Sequence, residues 1–138
     1  MTRSTTVRVL LAVLFALCLT TASNGTAAAA ATLSVGGPDN VVQPGNHTYG
    51  AYLGAFYVTF SWHVRTCPTA SVDGCAAAWS WRRNFYTESG FRDSYTQALA
   101  RDCTGGGTKT FQVRVTAGGF ATPQQTKYKV TNLCYELP

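Results

Sequence analysis

Few residues of this 138-residue chain suit acid–base, nucleophilic or metal chemistry: two histidines, six carboxylates and five cysteines. Ser61 and His63 stand two apart in an alternating run. An extended strand would put both on one face, where a hydroxyl and an imidazole make half of a nucleophile–base pair. No G-x-S-x-G elbow accompanies them, and no orienting group for the base is recognisable. The pair therefore reads as part of a solvated sheet face. Asp93 and Asp102 adjoin Arg92 and Arg101, while Asp73 and Glu88 fall in turn-like segments. Such carboxylates suit surface pairing and loops rather than the two facing acids of glycoside hydrolysis. Gly105-Gly106-Gly107-Thr108-Lys109 lacks the G-x-x-x-x-G-K-[ST] spacing of a phosphate loop. The chain is not expected to be an enzyme.

The cysteines take their meaning from the N-terminus. Arg3 and Arg8 precede an apolar run from Val9 to Leu19, and Ala27 to Ala31 form a tract of small residues. A charged start, a short apolar stretch and a small-residue cleavage region are the parts of a secretory signal peptide, expected over residues 1–31 and removed on export. The run is shorter than the roughly 20 residues a membrane span needs, so stable membrane insertion is not expected. Leu17 before Cys18 departs from the small residue of a lipoprotein site. The expected location is secreted, extracellular. Loss of Cys18 leaves Cys67, Cys75, Cys103 and Cys134, an even number in an oxidising compartment, and two disulfides follow. Four cysteines allow three pairings. Cys67 with Cys75 and Cys103 with Cys134 are favoured, because Pro68, Asp73 and Gly74 give the shorter segment turn character. No pair has the C-x2–4-C spacing of a zinc knuckle, so neither metal nor other cofactor is expected. The net charge of +5 falls to about +3 without Arg3 and Arg8. Lysine and arginine are scattered rather than gathered in a stripe, so nucleic acid is not an expected partner.

The elements that must position these residues are strands. Residues 55–66 alternate Phe56, Val58, Phe60, Trp62 and Val64 with Tyr57, Thr59, Ser61, His63 and Arg65, the pattern of a half-buried strand. Residues 108–116 repeat it with Phe111, Val113 and Val115. Residues 78–86 place Trp79, Trp81, Arg83 and Phe85 opposite Ser80, Arg82, Asn84 and Tyr86. Residues 91–103 follow the turn Glu88-Ser89-Gly90; Tyr95 to Ala100 also suit a short helical turn, but the segment is expected to return as the second arm of that hairpin. Residues 125–135 form a last strand, and Leu33-Ser34-Val35 and Val41-Val42 are short edge candidates. No stretch of ten or more residues shows a clean helical stripe.

The glycine-rich entry Gly105-Gly106-Gly107 into Phe111-Gln112-Val113-Arg114-Val115 resembles the penultimate strand of immunoglobulin-like secreted bacterial sandwich modules. An antibody-type domain carries its second core cysteine on that strand, where Val113 and Val115 stand here, so the strand order stays open. Six to seven strands at these spacings point to an all-β fold, a β-sandwich or small barrel, and the resemblance implies the first: a small disulfide-stapled antiparallel β-sandwich, immunoglobulin-like. Residues 32–54 are expected to form an extended N-terminal segment with short edge strands, and residues 55–138 the β-sandwich domain.

Three Trp and seven Tyr are many for so small a domain. Phe56, Phe60, Trp62 and Phe111 suit the core. Tyr49, Tyr52, Tyr57, Trp79, Trp81, Arg82, Arg83 and Tyr86 are candidate interface residues, since Trp, Tyr and Arg combine large contact area with a polar handle. The expected function is a secreted non-catalytic binding or adaptor protein acting through protein–protein contacts, as with a small subunit of a secreted multi-protein assembly. Its partner would be another extracellular protein or secreted complex. Alternatives are a secreted protease inhibitor using the Cys67 to Cys75 loop, or a carbohydrate or cell-wall binder using the aromatic rings on cell-surface carbohydrate.

Overall fold

The computed structural model describes residues 31–90, 92–101, 103 and 109–134. The expected signal peptide, up to residue 30, and the 105–107 glycine run lie outside the described residues. Among the described residues seven strands occur in chain order: β1 (Ser34–Gly36), β2 (Gly45–Tyr52), β3 (Val58–Cys67), β4 (Ser80–Thr87), β5 (Arg92–Leu99), β6 (Thr110–Gly119) and β7 (Thr122–Asn132). They form two antiparallel sheets, one of three strands in the order β1-β2-β5 and one of four in the order β4-β3-β6-β7. The fold is all-β and sandwich-like. The best alternating runs, β3 and β6, are neighbours in the middle of the larger sheet, paired from Thr59↔Gly118 to Cys67↔Thr110.

Alternation decides what is buried. Val58, Phe60, Trp62 and Val64 of β3 and Val113, Val115 and Ala117 of β6 face Tyr49, Ala51 and Leu99 of the smaller sheet in one core. A fully buried tryptophan needs an acceptor for its N–H, and Trp62 Nε1 donates to Asp93 Oδ2 of β5 at 2.6 Å. Asp93 Oδ1 accepts from Arg83 of β4 at 2.7 Å, so one carboxylate joins both sheets at the edge where β4 and β5 lie. Both favoured disulfides are present, Cys67–Cys75 and Cys103–Cys134, with Cα separations of 5.8 and 5.3 Å. The first closes the loop after β3; the second ties the segment after β5 to the end of β7, and so one sheet to the other. Both are compatible with an extracellular protein.

Several expectations are corrected. The strand after Gly90 is not the return arm of a hairpin with β4: β5 pairs along its whole length with β2, from Gly45↔Leu99 to Tyr52↔Arg92. Residues 32–54 do not stand apart from the sandwich. They supply β1, the central strand β2, and the core residues Leu33, Val41, Tyr49, Ala51 and Leu53. Val41-Val42 forms no strand; Asn40 makes a single parallel bridge to Asn132, and Val41 N–H donates to the Asn132 carbonyl. Phe56 is 62% exposed rather than core, because Tyr57 adopts a left-handed φ of 52° that breaks the alternation just before β3 begins.

Candidate functional site

The even alternation expected for residues 78–86 is interrupted by a β-bulge. Trp62 pairs with Arg83 but His63 pairs with Trp81, leaving Arg82 as the extra residue on β4. A bulge turns the residues on its two sides to opposite faces of the sheet relative to a regular strand. Arg83 and Phe85 are thereby left on the core side, where Phe85 packs against the hydrophobic cluster, while Trp81 is aimed outward to the face that carries Asn84 and Tyr86. Trp81 is 61% exposed, and its Nε1 donates to Asn84 Oδ1 at 3.4 Å.

On that outer face, cross-strand register places Trp81, His63, Arg114 and Tyr128 in one row over all four strands. The next row is Asn84, Ser61, Thr116 and Thr126, and beyond it stand Tyr86, Thr59 and Gly118. No carboxylate stands in these rows. Beside Gly118 there is a recess of ≈ 330 Å³ whose lining includes Tyr57, Thr59, Ser61 and Gln124. Burial, and next the Arg114 charge, hold the His63 imidazole below its ordinary pKa of 6.5, which keeps it neutral at pH 7. Its Nδ1 has no hydrogen-bond partner among the described residues. Ser61 and His63 share the face as expected but make no hydrogen bond to one another among the described residues.

One end of the face is covered by the disulfide loop. Arg65, outward on β3 and buried, donates Nε to Gln112 Oε1 at 2.9 Å and its terminal nitrogens to the carbonyls of Val72, Cys75 and Ala77 at 2.5, 3.2 and 3.0 Å. Thr110 and Gln112 hold the Thr69 carbonyl from below. The loop is thus pinned by side chains that reach its main chain. Trp79, at the loop's exit into β4, has two guanidinium groups over its ring, Arg65 at 4.1 Å and Arg114 at 4.7 Å, with the Tyr128 ring 5.8 Å away. Cation–π contacts of this kind fix an indole without burying it.

The candidate interface residues are therefore distributed over several places. Trp79, Trp81 and Tyr86 lie on the outer face of the four-stranded sheet, with Tyr57 at its end. Tyr52 is exposed, but on the three-stranded sheet beneath Arg92. Arg82 is exposed at the bulge and lines a separate cleft toward Leu99 and Phe111. Arg83 belongs to the seam through Asp93. Tyr49 is corrected from interface to core: it is fully buried, its hydroxyl lies 2.6 Å from Thr131 Oγ1, and burial raises its pKa. Thr131 gives its own proton to the Pro38 carbonyl, so the Tyr49 hydroxyl is the donor of the pair. Reading the sequence missed Arg114, Tyr128 and the tip residues Phe56 and Phe120, the last 74% exposed. Phe120 sits between Gly118-Gly119 and the end of a hairpin, a turn signal that marks it as exposed.

This arrangement can stack planar groups and pair with anions. Comparison with protein-family models, curated proteins and solved structures found no match to the chain.

Proposed function

We propose that the protein is an exported, non-catalytic binding or adaptor domain of immunoglobulin-like architecture that contacts another extracellular protein through the outer face of its four-stranded sheet. The architecture is supported by strand order. The constant-type arrangement sets strands A-B-E-D against C-F-G; here β1-β2-β5 match A-B-E and β3-β6-β7 match C-F-G, while the fourth strand has left β5 and joined β3. Export is supported by the two disulfides and by the signal-like N-terminus.

The observation that carries the contact reading is the bulge that turns Trp81 into the row His63, Arg114 and Tyr128. An exposed aromatic in one row with arginine, flanked by Ser, Thr and Asn, has the composition of an interface hot spot. The absence of carboxylates from these rows suits an acidic patch on the partner. The inhibitor alternative has less support, since the Thr69, Val72 and Cys75 carbonyls of the loop are turned inward to Arg65, Gln112 and Thr110. The test is affinity capture from the culture fluid of the producing organism with the wild type and Trp81→Ala. One protein should co-purify in constant proportion, with binding weakened at least about tenfold in the variant and its melting temperature unchanged. Capture that Trp81→Ala leaves intact, or no captured protein at all, overturns the reading. Trp81-dependent retention on insoluble cell wall instead would favour carbohydrate.

A further inference from the structure

A second feature lies on the other sheet and is independent of the contact face. Where the three-stranded sheet meets β4 there is a hollow of ≈ 640 Å³ whose lining includes Ser34, Gly50, Tyr52, Phe85, Arg92 and Ser94. Small-molecule sites fall at about 300–1,000 Å³ and combine apolar walls with a few polar groups. The origin of the hollow is visible in the register. Gly50 pairs with Gly36 on one side and Ser94 on the other, whereas the neighbouring row is Ser34, Tyr52 and Arg92. A row without bulky side chains thus runs beside a row that carries a ring and a cation.

Asp93 also lines the hollow, but it does not pair with the Arg92 charge. Arg92 lies over the Tyr52 ring, 5.9 Å from its centroid, and among the described residues no carboxylate pairs with it. The adjacent Asp93 could have neutralised it, but both Asp93 oxygens are taken by Trp62 and Arg83. The Ser34 and Ser94 hydroxyls likewise have no hydrogen-bond partner among the described residues. Two aromatic rings, one guanidinium and two open hydroxyls form a complement to a flat apolar body bearing a negative group.

We propose that this hollow binds a small aromatic anion, a ring system carrying a carboxylate or an equivalent acid group. The ring packs against Tyr52 and Phe85, the anion pairs with Arg92, and the serine hydroxyls donate to it. A neutral aromatic loses the ion pair, and an aromatic cation meets like charge.

Three probes of one shape test this: 2-naphthoate, 2-naphthalenemethanol and 2-naphthylmethylammonium, titrated into the purified protein by calorimetry and by amide shifts of Gly50 and Ser94. The naphthoate should bind and move both amides, the alcohol should bind at least about tenfold more weakly, and the ammonium should not bind. Arg92→Gln should reduce naphthoate binding to the level of the alcohol. Gly50→Ile should abolish it with the fold intact, because a Cβ at Gly50 meets nothing nearer than the Asp93 carbonyl at 4.0 Å and a β-branched residue suits a strand. Thermal melts of both variants monitor the fold, and should Gly50→Ile fail to fold, Arg92→Gln and the alcohol still decide. No naphthoate binding at millimolar concentration, equal binding of acid and alcohol, or naphthoate binding unchanged in Arg92→Gln overturns the proposal.

Discussion

Arg65 shows how far one residue's role departs from its place in a pattern. By alternation it belongs to the polar face of β3, beside Ser61 and His63. In the fold it is buried, without a carboxylate partner among the described residues, and its charge is met by four oxygens instead. Guanidinium is suited to this because its donors spread in a rigid fork, which a lysine cannot copy. Arg65→Leu would leave the Val72, Cys75 and Ala77 carbonyls and Gln112 Oε1 without that donor. A buried polar group left without its hydrogen-bond partner costs about 1–3 kcal/mol, so urea denaturation should show a loss of that size, with faster proteolysis inside the Cys67–Cys75 loop. A variant within about 0.5 kcal/mol of the wild type would show that solvent takes over these carbonyls without penalty.

Among the elements, the crossing from β4 to β5 is the most constrained. The chain must leave the edge of one sheet and enter the other, and it does so through Gly90 at a φ of 70°. A Cβ there would stand 1.4 Å from the Ala55 carbonyl oxygen, so the turn closes directly on the segment that leads into β3. Gly90→Ala combines left-handed strain with a backbone clash and should cost at least about 3 kcal/mol. Gly36→Ala is the control. Its Cβ would meet nothing within 4 Å, and equilibrium unfolding should place it within about 0.5 kcal/mol of the wild type. The turn motif Glu88-Ser89-Gly90 was legible in the sequence. That it crosses between sheets was not, since a tight hairpin and a sheet-switching turn draw on the same residue types.

For the whole molecule, the N-terminal strands matter more than their composition suggests. Residues 32–54 hold many glycines and isolated apolar residues, which read as an extended arm. Yet Leu33, Val41, Tyr49 and Leu53 are each at most 1% exposed in the shared core. Burying a large apolar side chain is worth about 1.5–3 kcal/mol, and a domain this size has only about 5–15 kcal/mol of net stability. A chain beginning at Ala55 should therefore show no cooperative thermal transition and no near-ultraviolet signal from Trp62. A sharp melt in that truncated chain would show that the four-stranded sheet folds by itself.

By itself the sequence determined the all-β class and every strand but β2, and it favoured the two cysteine pairs without excluding the others, because period-two alternation and turn residues are local and survive without knowledge of the partners. Gly45–Tyr52, with two glycines and isolated apolar residues, carries no such alternation. The sequence marked Trp79, Trp81 and Tyr86 as candidates on composition alone. The tertiary structure decided the rest: that β5 pairs with β2, that Tyr49 is core, that Arg65 pins a loop, and that Arg92 has no carboxylate partner among the described residues while Asp93 is used at the seam. The bulge at Arg82 is the sharpest case. One extra residue inverts which side chains face outward, and whether a strand bulges depends on its cross-strand neighbours, which the linear chain does not display.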